Sequence, residues 1–252
     1  MLERIGKIYQ EQGGIGGVFW RLYSYGYKNL LRPRLPAIGT VLYSEVVVGH
    51  RRLGDTLFLP TVWRAPKIED MPDYEATLVK ALRAHVRPGA SVVVVGCASG
   101  VTCALAAKLS GTTVVCFEGD RDGVLSTLET ARLNGVTDEI DVRHAIVAKD
   151  ISVYGNPMLR AETIVSPSDL PRCDVLELDC EGAELQILSE MKIRPRVVIV
   201  ETHGIYGSPT EMVQRILQSR GYVVENLGIA EPRYAKDCIE GGIDVLVGKF
   251  AD

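Results

Sequence analysis

Apolar and polar positions alternate along the second half of the chain in a pattern that predicts strands separated by helices. Short runs rich in valine and isoleucine recur from residue 91 onwards, and helical spacing of apolar residues follows most of them. The strands predicted from these runs span residues 91–96, 112–118, 140–147, 174–179 and 196–202. Strands that alternate with helices are typical of a parallel sheet with helices on both faces, so the pattern predicts an α/β fold.

The C-terminal part of the pattern differs from this alternation. Residues 222–229 and 243–250 are predicted strands, and the polar segment between them is too short for a crossover helix, so we expect an antiparallel pair. Just before them, residues 208–211 have the sequence Ser-Pro-Thr-Glu of a capping box with proline in the first helical position. Gly221 is expected to end that helix.

The first third of the chain is organised differently. Residues 40–60 predict a hairpin that turns near Leu53, Gly54 and Asp55, and a helix is predicted from residue 72 to 86. Residues 1–36 carry six lysines or arginines against two glutamates, with six aromatics. The chain therefore divides into three predicted parts, which are a basic aromatic extension at 1–36, a hairpin and loop at 37–72, and the main domain at 73–252.

Composition narrows the class of protein. Hydrophobic residues make up 46% and charged residues 24% of the 252 positions, which is ordinary for a soluble globular protein. No run approaches the roughly 18 apolar residues that span a bilayer, and the start has no signal-peptide pattern, so a cytoplasmic location is expected. A net charge of −4 argues against nucleic acid as a partner. The six cysteines form no CxxC pair, and we expect no metal site.

A glycine-containing loop follows the strand at 91–96. Small residues there let a ligand approach the backbone, so a nucleotide-like ligand is expected. Glu118 ends the next strand about twenty residues later, where an acidic side chain can accept hydrogen bonds from both hydroxyls of a ribose. The alternative is a tight turn with Glu118 capping the next helix. The candidate cofactor-binding residues of the loop are Gly96, Cys97, Ala98, Ser99 and Gly100.

Four stretches in this order, VVVVGCASG, CFEGD, DVLELDCEGAEL and VIVETHG, resemble FkbM-type S-adenosylmethionine-dependent methyltransferases. The similarity covers about residues 75–250. The chain departs from the usual pattern at Cys97, where alanine is frequent, and at Gly119, where proline is common. The resemblance implies a Rossmann-like class I methyltransferase fold, with a seven-stranded, mostly parallel sheet and an antiparallel last strand.

The resemblance also implies the cofactor S-adenosyl-L-methionine, with S-adenosyl-L-homocysteine as product. The loop at 96–100 would hold its methionine end, Glu118 its ribose, and Asp179 would face the reactive centre. Carboxylates at this sheet edge suit a cationic sulfonium, and Gly182 lets the chain turn into a helix. Asp179 and Glu181 are therefore candidate catalytic residues and Asp179 also a cofactor ligand, against the alternative that they cap the helix. Glu184 is as well explained by a structural role.

His203 is the third candidate catalytic residue, because it follows the strand at 196–202 and should reach the same sheet edge as Asp179. An imidazole titrates near neutrality and could take a proton from an acceptor hydroxyl. The alternative is that His203 hydrogen-bonds the loop leading to Ser208. A metal-assisted variant would use Asp179, Glu181 and Glu201, but we expect no metal.

The leading functional hypothesis is therefore O-methylation of a hydroxyl on a sugar, glycan or secondary metabolite. A nicotinamide-dependent oxidoreductase is disfavoured because the loop lacks the central glycine of GxGxxG. A catalytically silent nucleotide-binding or interaction protein stays open, since fold does not fix function. For residues 1–36, we favour intramolecular packing or homodimerisation over peripheral contact with a membrane.

Overall fold

The chain is described from a computed structural model. The structure describes residues 39–50, 69–148 and 163–250, with four residues of the N-terminal extension, Tyr23, Gly26, Tyr27 and Leu31. The chain divides into two compact units, Met1–Thr40 with Gly49–Ile68 and Val41–Val48 with Glu69–Asp252. The division at residues 36 and 72, and the role of residues 1–36, stay predictions. In the described ranges, no helix is long and apolar enough to cross a bilayer.

Two short strands form a separate hairpin, β1 (Gly39–Tyr43) and β2 (Val46–His50). The chain turns between them at Ser44 and Glu45, with φ of 45° and 73°. The predicted strand was expected to run straight through these positions, which was wrong, and the expected turn at 53–55 lies outside the described residues. Two-residue turns with positive φ usually carry glycine or asparagine, so Ser-Glu gave no turn signal.

The main unit is built on an eight-stranded sheet. Its strands are β3 (Val92–Val95), β4 (Val114–Glu118), β5 (Ile140–Val147), β6 (Thr163–Val165), β7 (Val175–Leu178), β8 (Val197–Glu201), β9 (Tyr222–Ile229) and β10 (Asp244–Phe250). Their order across the sheet is β6-β5-β4-β3-β7-β8-β10-β9. β3 to β8 are parallel, whereas β10 is antiparallel to both of its neighbours. The predicted mostly parallel α/β fold with an antiparallel last strand is confirmed, and the edge strand β6 adds an eighth strand to the expected seven.

Six α-helices flank this sheet in the described part of the chain. They are α1 (Ala76–His85), α2 (Val101–Ser110), α3 (Arg121–Leu133), α4 (Glu184–Glu190), α5 (Thr210–Ser219) and α6 (Ala235–Gly241). Side chains alternate between the faces of a strand. Leu176 and Leu178 of β7 pack in one core cluster with residues of α4 and α5. Glu177 therefore points to the opposite face, where α2 lies.

Two helix starts differ from the prediction. α1 begins at Ala76 rather than at residue 72, because Glu75 has a left-handed backbone with φ 47° and ψ 39°. α5 begins at Thr210, and Pro209 is its N-cap without a side-chain hydrogen bond, so the predicted capping box was wrong. The Thr210 hydroxyl is instead bonded to Asp244 of β10. Tertiary hydrogen bonds replace the expected local cap.

The C-terminal antiparallel pair confirms the prediction for β9 and β10. The connection between them does contain a helix, α6, but this helix reverses the chain direction rather than crossing the sheet. The end of α5 was also predicted correctly, because Gly221, with φ of 90°, follows its C-cap at Arg220. These elements complete the sheet edge at which the candidate site lies.

Candidate functional site

A cavity of about 610 Å³ lies at the carboxyl ends of the parallel strands. β3 lies between β4 and β7, so the chain order reverses here, and ligands of open α/β sheets bind at such a point. Six of the nine predicted site residues line it, namely Gly96, Ala98, Glu118, Asp179, Glu181 and His203. Cys97, Ser99 and Gly100 lie in the same loop without lining the cavity. The fold thus brings together residues separated by more than a hundred positions.

Gly96 and Gly100 have different roles in the loop after β3. Both have positive φ, 91° and 79°. A Cβ on Gly96 would lie 1.6 Å from the backbone oxygen of Asp179, and one on Gly100 would lie 2.7 Å from Cα of Thr127 in α3. Close approach of protein backbone, rather than of a ligand, therefore explains why both positions need glycine. Their binding of the cofactor stays a prediction.

Glu118 closes the glycine loop from the end of β4. Its Oε2 accepts hydrogen bonds from the backbone N–H groups of Cys97 and Ala98 at 2.8 and 2.9 Å, and its Oε1 accepts one from Asp120 at 2.7 Å. Burial raises the pKa of Glu118, while these three bonds lower it. Glu118 does not cap α3, because the N-cap is Asp120, which accepts from Asp122 N–H. Glu118 thus fixes the loop and also lines the cavity.

Cys97 and Ser99 face away from the cavity into the protein. The Cys97 thiol contacts the carbonyl oxygen of Phe117 at 3.4 Å. The Ser99 hydroxyl lies 3.4 Å from the Tyr74 hydroxyl, and its carbonyl oxygen accepts a hydrogen bond from Thr130 at 2.7 Å. Side chains of this loop therefore anchor it, and its backbone is left toward the cavity.

The loop after β7 makes the sharp turn expected from Gly182. Glu181 has φ of 48° and Gly182 of 107°, and a Cβ on Gly182 would lie 2.7 Å from the backbone oxygen of Tyr206. Glu184, in the first turn of α4, accepts hydrogen bonds from the N–H groups of Gly182 at 2.9 Å and Cys180 at 3.4 Å. Glu184 is fully buried, so its structural role, left open by the sequence, is to hold this turn.

His203 lies between the acidic residues that follow β7 and the glutamate at the end of β8. Its Nδ1 lies 2.8 Å from Oε1 of Glu184, and its Nε2 lies 3.5 Å from Oδ1 of Asp179 and 3.7 Å from Oε1 of Glu201. An ionised carboxylate only accepts, so Nδ1 carries the hydrogen and the neutral ring has its lone pair on Nε2. The alternative contact with Ser208 also exists, but through the backbone of both residues. The imidazole itself is therefore directed at the cavity.

Charges in this group shift one another's pKa. Burial lowers the pKa of His203, but the hydrogen bond to Glu184 and the charge of Asp179 outweigh it and raise the value. Burial would raise the pKa of Glu184, yet the bond from His203 holds it below its usual value. Burial raises the pKa of Asp179 to about 6 and that of Glu181 to about 7, although His203 opposes both shifts. Several groups thus titrate near neutrality, as proton transfer requires.

Two further acids face the cavity, and sequence reasoning gave them less weight. Glu201 was considered only as a metal ligand, and its Oε2 is buried without a hydrogen-bond partner. Glu75 was missed, because the predicted helix over 72–86 placed it inside a regular turn. No signal in the sequence marks the left-handed backbone of Glu75, whose side chain lines the cavity.

Among the residues that the structure describes, two groups of side chains have a spacing that could hold a metal ion. The ligand atoms of Asp179, Glu201 and His203 lie within 4.8 Å of one another, and so do the buried thiols of Cys97, Cys103 and Cys116. His203 Nε2 cannot be both a metal ligand and a proton acceptor. The expectation that no metal binds stays a prediction.

Comparison with known proteins finds similarity to methyltransferases. Ribosomal protein L11 methyltransferase of Bacillus cereus strain B4264 is 31% identical over 153 residues, a match that covers 59% of this chain and 43% of that protein. The chain thus spans less than half the length of the curated relatives it matches. Precorrin-6y C5,15-methyltransferase from Geobacter metallireducens GS-15 superposes with a TM-score of 0.46 at 12% identity, covering 74% of this chain and 92% of that one.

An O-methyltransferase from Bacillus cereus, solved with SAH, has a TM-score of 0.43 at 15% identity, covering 71% of this chain and 80% of its own. A family model described as the methyltransferase FkbM domain matches residues 74–224, which is more than half of the chain. That range contains the glycine loop, Glu118, the turn after β7 with its acidic residues, and His203. The chain belongs to the FkbM methyltransferase family.

Proposed function

We propose that the protein transfers a methyl group from S-adenosyl-L-methionine to a hydroxyl of a small molecule, such as a sugar, glycan or secondary metabolite. The cofactor is S-adenosyl-L-methionine, as membership of this methyltransferase family indicates. The observation that carries the choice of hydroxyl is the Glu184–His203–Asp179 contact, in which Glu184 holds the imidazole at Nδ1 and Nε2 faces Asp179 at the cavity.

The residues at the cavity fit this cofactor. Asp179, Glu181 and Glu201 supply negative charge where a sulfonium requires it, and Glu118 is at the strand end that suits a ribose. Bound there, the cofactor supplies an electrophilic methyl group. We assign the loop at 96–100 and Glu118 to cofactor binding, and Asp179 to both binding and catalysis. Their part is to orient the reacting groups, which reduces the entropic barrier to transfer.

His203 is the proposed general base. Its Nε2 would accept the proton of the acceptor hydroxyl, and Glu184 would stabilise the resulting imidazolium through Nδ1–H. Asp179, 3.5 Å from Nε2, would orient either the imidazole or the hydroxyl. Glu181 also lines the cavity, and its buried Oε2 has no hydrogen-bond partner, so it is a second candidate proton acceptor.

Calorimetry tests the cofactor half of this proposal. S-adenosyl-L-homocysteine and S-adenosyl-L-methionine should each bind with a Kd in the micromolar range or tighter, and NADH should give no heat and should not compete. Binding of NADH without binding of either methionine-derived ligand would favour the oxidoreductase alternative. Binding of the methionine-derived ligands without any methyl transfer, over a broad set of acceptors, would favour the silent nucleotide-binding protein.

A labelled-methyl assay tests the acceptor half. The full chain is incubated with methyl-labelled S-adenosyl-L-methionine and a panel of mono- and oligosaccharides, with ribosomal protein L11 as a separate arm because of the curated relative. We expect base-stable methyl ethers on a carbohydrate, while labelled L11 or base-labile methyl esters would contradict O-methylation of a hydroxyl.

Asp179→Asn should retain binding of S-adenosyl-L-homocysteine within about tenfold but lose about 10²–10⁴-fold in the rate of methyl transfer.

A further inference from the structure

Glu75 belongs to an acidic part of the cavity wall in which His203 is the one basic side chain among the described lining residues. Glu75, Asp179 and Glu201 come from the start of α1 and the ends of β7 and β8, and all three line the cavity. No lysine or arginine is among the described residues that line it. Burial, and next the charge of Asp179, raise the pKa of Glu75 well above its usual value. These carboxylates therefore repel one another, and a cationic ligand would remove the repulsion.

The backbone at Glu75 is held in an unfavourable conformation. Its φ of 47° lies in the left-handed region, which costs a non-glycine residue about 1–3 kcal/mol. Its N–H donates a hydrogen bond of 3.0 Å to Oε1 of Glu231, which lies just after the C-terminal end of β9. The side chain of the next turn is also fixed, because the Thr77 hydroxyl donates to the carbonyl oxygen of Ile229 at 2.8 Å. Contacts from distant parts of the chain thus set the direction of the Glu75 side chain.

The upstream hairpin holds the same segment from the other side. The Ser44 N–H donates to the carbonyl oxygen of Met71 at 3.0 Å, and the Ser44 hydroxyl donates to Pro72 at 3.3 Å and to Tyr74. The rings of Tyr43 and Tyr74 stack with centroids 4.6 Å apart. The Tyr74 hydroxyl in turn reaches Ser99 in the glycine loop at 3.4 Å. Glu75 is therefore fixed beside the loop that is assigned to the methionine end of the cofactor.

We propose that Glu75 binds the α-ammonium group of the methionine part of the cofactor. This inference rests on the proposed function, since it assigns a residue to the same cofactor. The cofactor has two cationic groups, but only the ammonium has N–H donors that a carboxylate can accept. Asp179 lies at the reacting end, whereas Glu75 is linked through Tyr74 to the loop. Tyr43 and Ser44 then have a function, because they position a cofactor-binding residue.

Two ligands that differ in the amino-acid part test the proposal. S-adenosyl-L-homocysteine contains the ammonium, and 5′-methylthioadenosine has the same nucleoside and thioether without it. Calorimetry on the full chain compares both ligands with wild type, Glu75→Gln and the control Asp138→Asn, an exposed residue that does not line the cavity. We expect Glu75→Gln to weaken S-adenosyl-L-homocysteine about 10- to 100-fold, as for the loss of a charged hydrogen bond. Binding of 5′-methylthioadenosine should change less than about twofold.

Each other outcome has a definite meaning. Unchanged affinity of Glu75→Gln for S-adenosyl-L-homocysteine would overturn the proposal. Equal weakening of both ligands would also overturn it, because Glu75 would then act only through packing of the wall. Preserved binding of 5′-methylthioadenosine shows that the variant is folded. Failure of wild type to bind either ligand would instead refute the proposed function, so the two failures are distinguishable.

Discussion

The two walls of the cavity satisfy their carboxylates to different degrees. The glycine-loop wall, formed by Gly96, Ala98 and Glu118, contains one buried acid that accepts hydrogen bonds from three backbone N–H groups. The acidic wall, formed by Asp179, Glu181, Glu201 and His203, contains two buried carboxyl oxygens without a hydrogen-bond partner. Both walls lie at the same sheet edge, so burial alone does not explain the difference.

Local backbone geometry accounts for it. The turn after β3 directs successive N–H groups toward one side chain, whereas the acids of the other wall leave strand ends or a tight turn and face each other. An unsatisfied buried polar group costs about 1–3 kcal/mol, so the acidic wall gains more when a ligand or a proton arrives. We therefore expect the glycine-loop wall to be preorganised for binding and the acidic wall to be where charge and protons are exchanged.

Gly96→Ala should have the largest effect, because it forces the two walls apart. Its Cβ would lie 1.6 Å from the Asp179 oxygen, so the backbone must shift. We expect a loss of more than about 3 kcal/mol in the free energy of unfolding and no measurable binding of S-adenosyl-L-homocysteine. Gly89→Ala is the control, since its φ of 82° is similar but nothing lies within 4 Å of the added Cβ. Urea unfolding that gave equal losses would show that backbone strain alone matters.

Glu184→Gln removes the anchor of the acidic wall. We expect the free energy of unfolding to fall by about 3 kcal/mol, because the variant leaves a buried imidazole without its charged partner. The pKa of Glu184 is held below its usual 4.5, so its contribution is present above pH 4.5 and is lost as pH falls through the folded value. The pKa of His203 is raised above 6.5, so its contribution is present below pH 6.5 and is lost as pH rises through the folded value.

The stabilisation by this pair should therefore be largest between about pH 4.5 and 6.5. Urea unfolding of wild type and Glu184→Gln at a series of pH values measures it. A difference that did not change with pH would contradict an ionised pair and indicate packing alone.

His203→Asn tests which group on the acidic wall accepts the proton. A base must be deprotonated, so the wild-type rate should rise with pH through an apparent pKa above 6.5. The variant should lose about 10²–10⁴-fold in rate and lose this limb, with binding of S-adenosyl-L-homocysteine nearly unchanged. Single-turnover methylation against pH measures both quantities. A limb that persisted near pH 7 would identify Glu181 as the base instead, given its pKa of about 7.

Matched amide substitutions on the two walls should have the smallest effects, with opposite signs. Glu118→Gln should lower the free energy of unfolding by about 1–3 kcal/mol, because it places an NH₂ group among backbone N–H donors. Glu201→Gln should be neutral or stabilise by up to about 1 kcal/mol, because it removes repulsion. Burial and the charge of Asp179 raise the pKa of Glu201, so this gain should appear above pH 4.5 and vanish below it. Equal losses for both variants would contradict the comparison between the walls.

Much of the fold could be predicted because its signals are local and repeated. Apolar runs predicted seven of the eight strands of the central sheet, and β6 was missed because three residues give no periodic pattern. The turn at Ser44 was missed for a different reason. Its positive φ is stabilised by Met71 and Pro72, which lie almost thirty residues away. The failed capping box at residues 208–211 likewise reflects a bond to Asp244.

By itself, the sequence determined the α/β class, the succession of seven strands along the chain and the residues at their carboxyl ends. Periodic burial and glycine turns are properties of short segments, so they can be predicted from the local sequence. Only the tertiary structure decided how those residues meet. It made Glu184 the partner of His203, showed that Gly100 accommodates α3, and brought Glu75 to the cavity through a strained backbone. These outcomes depend on contacts between distant segments, whose distances and charges no local pattern contains.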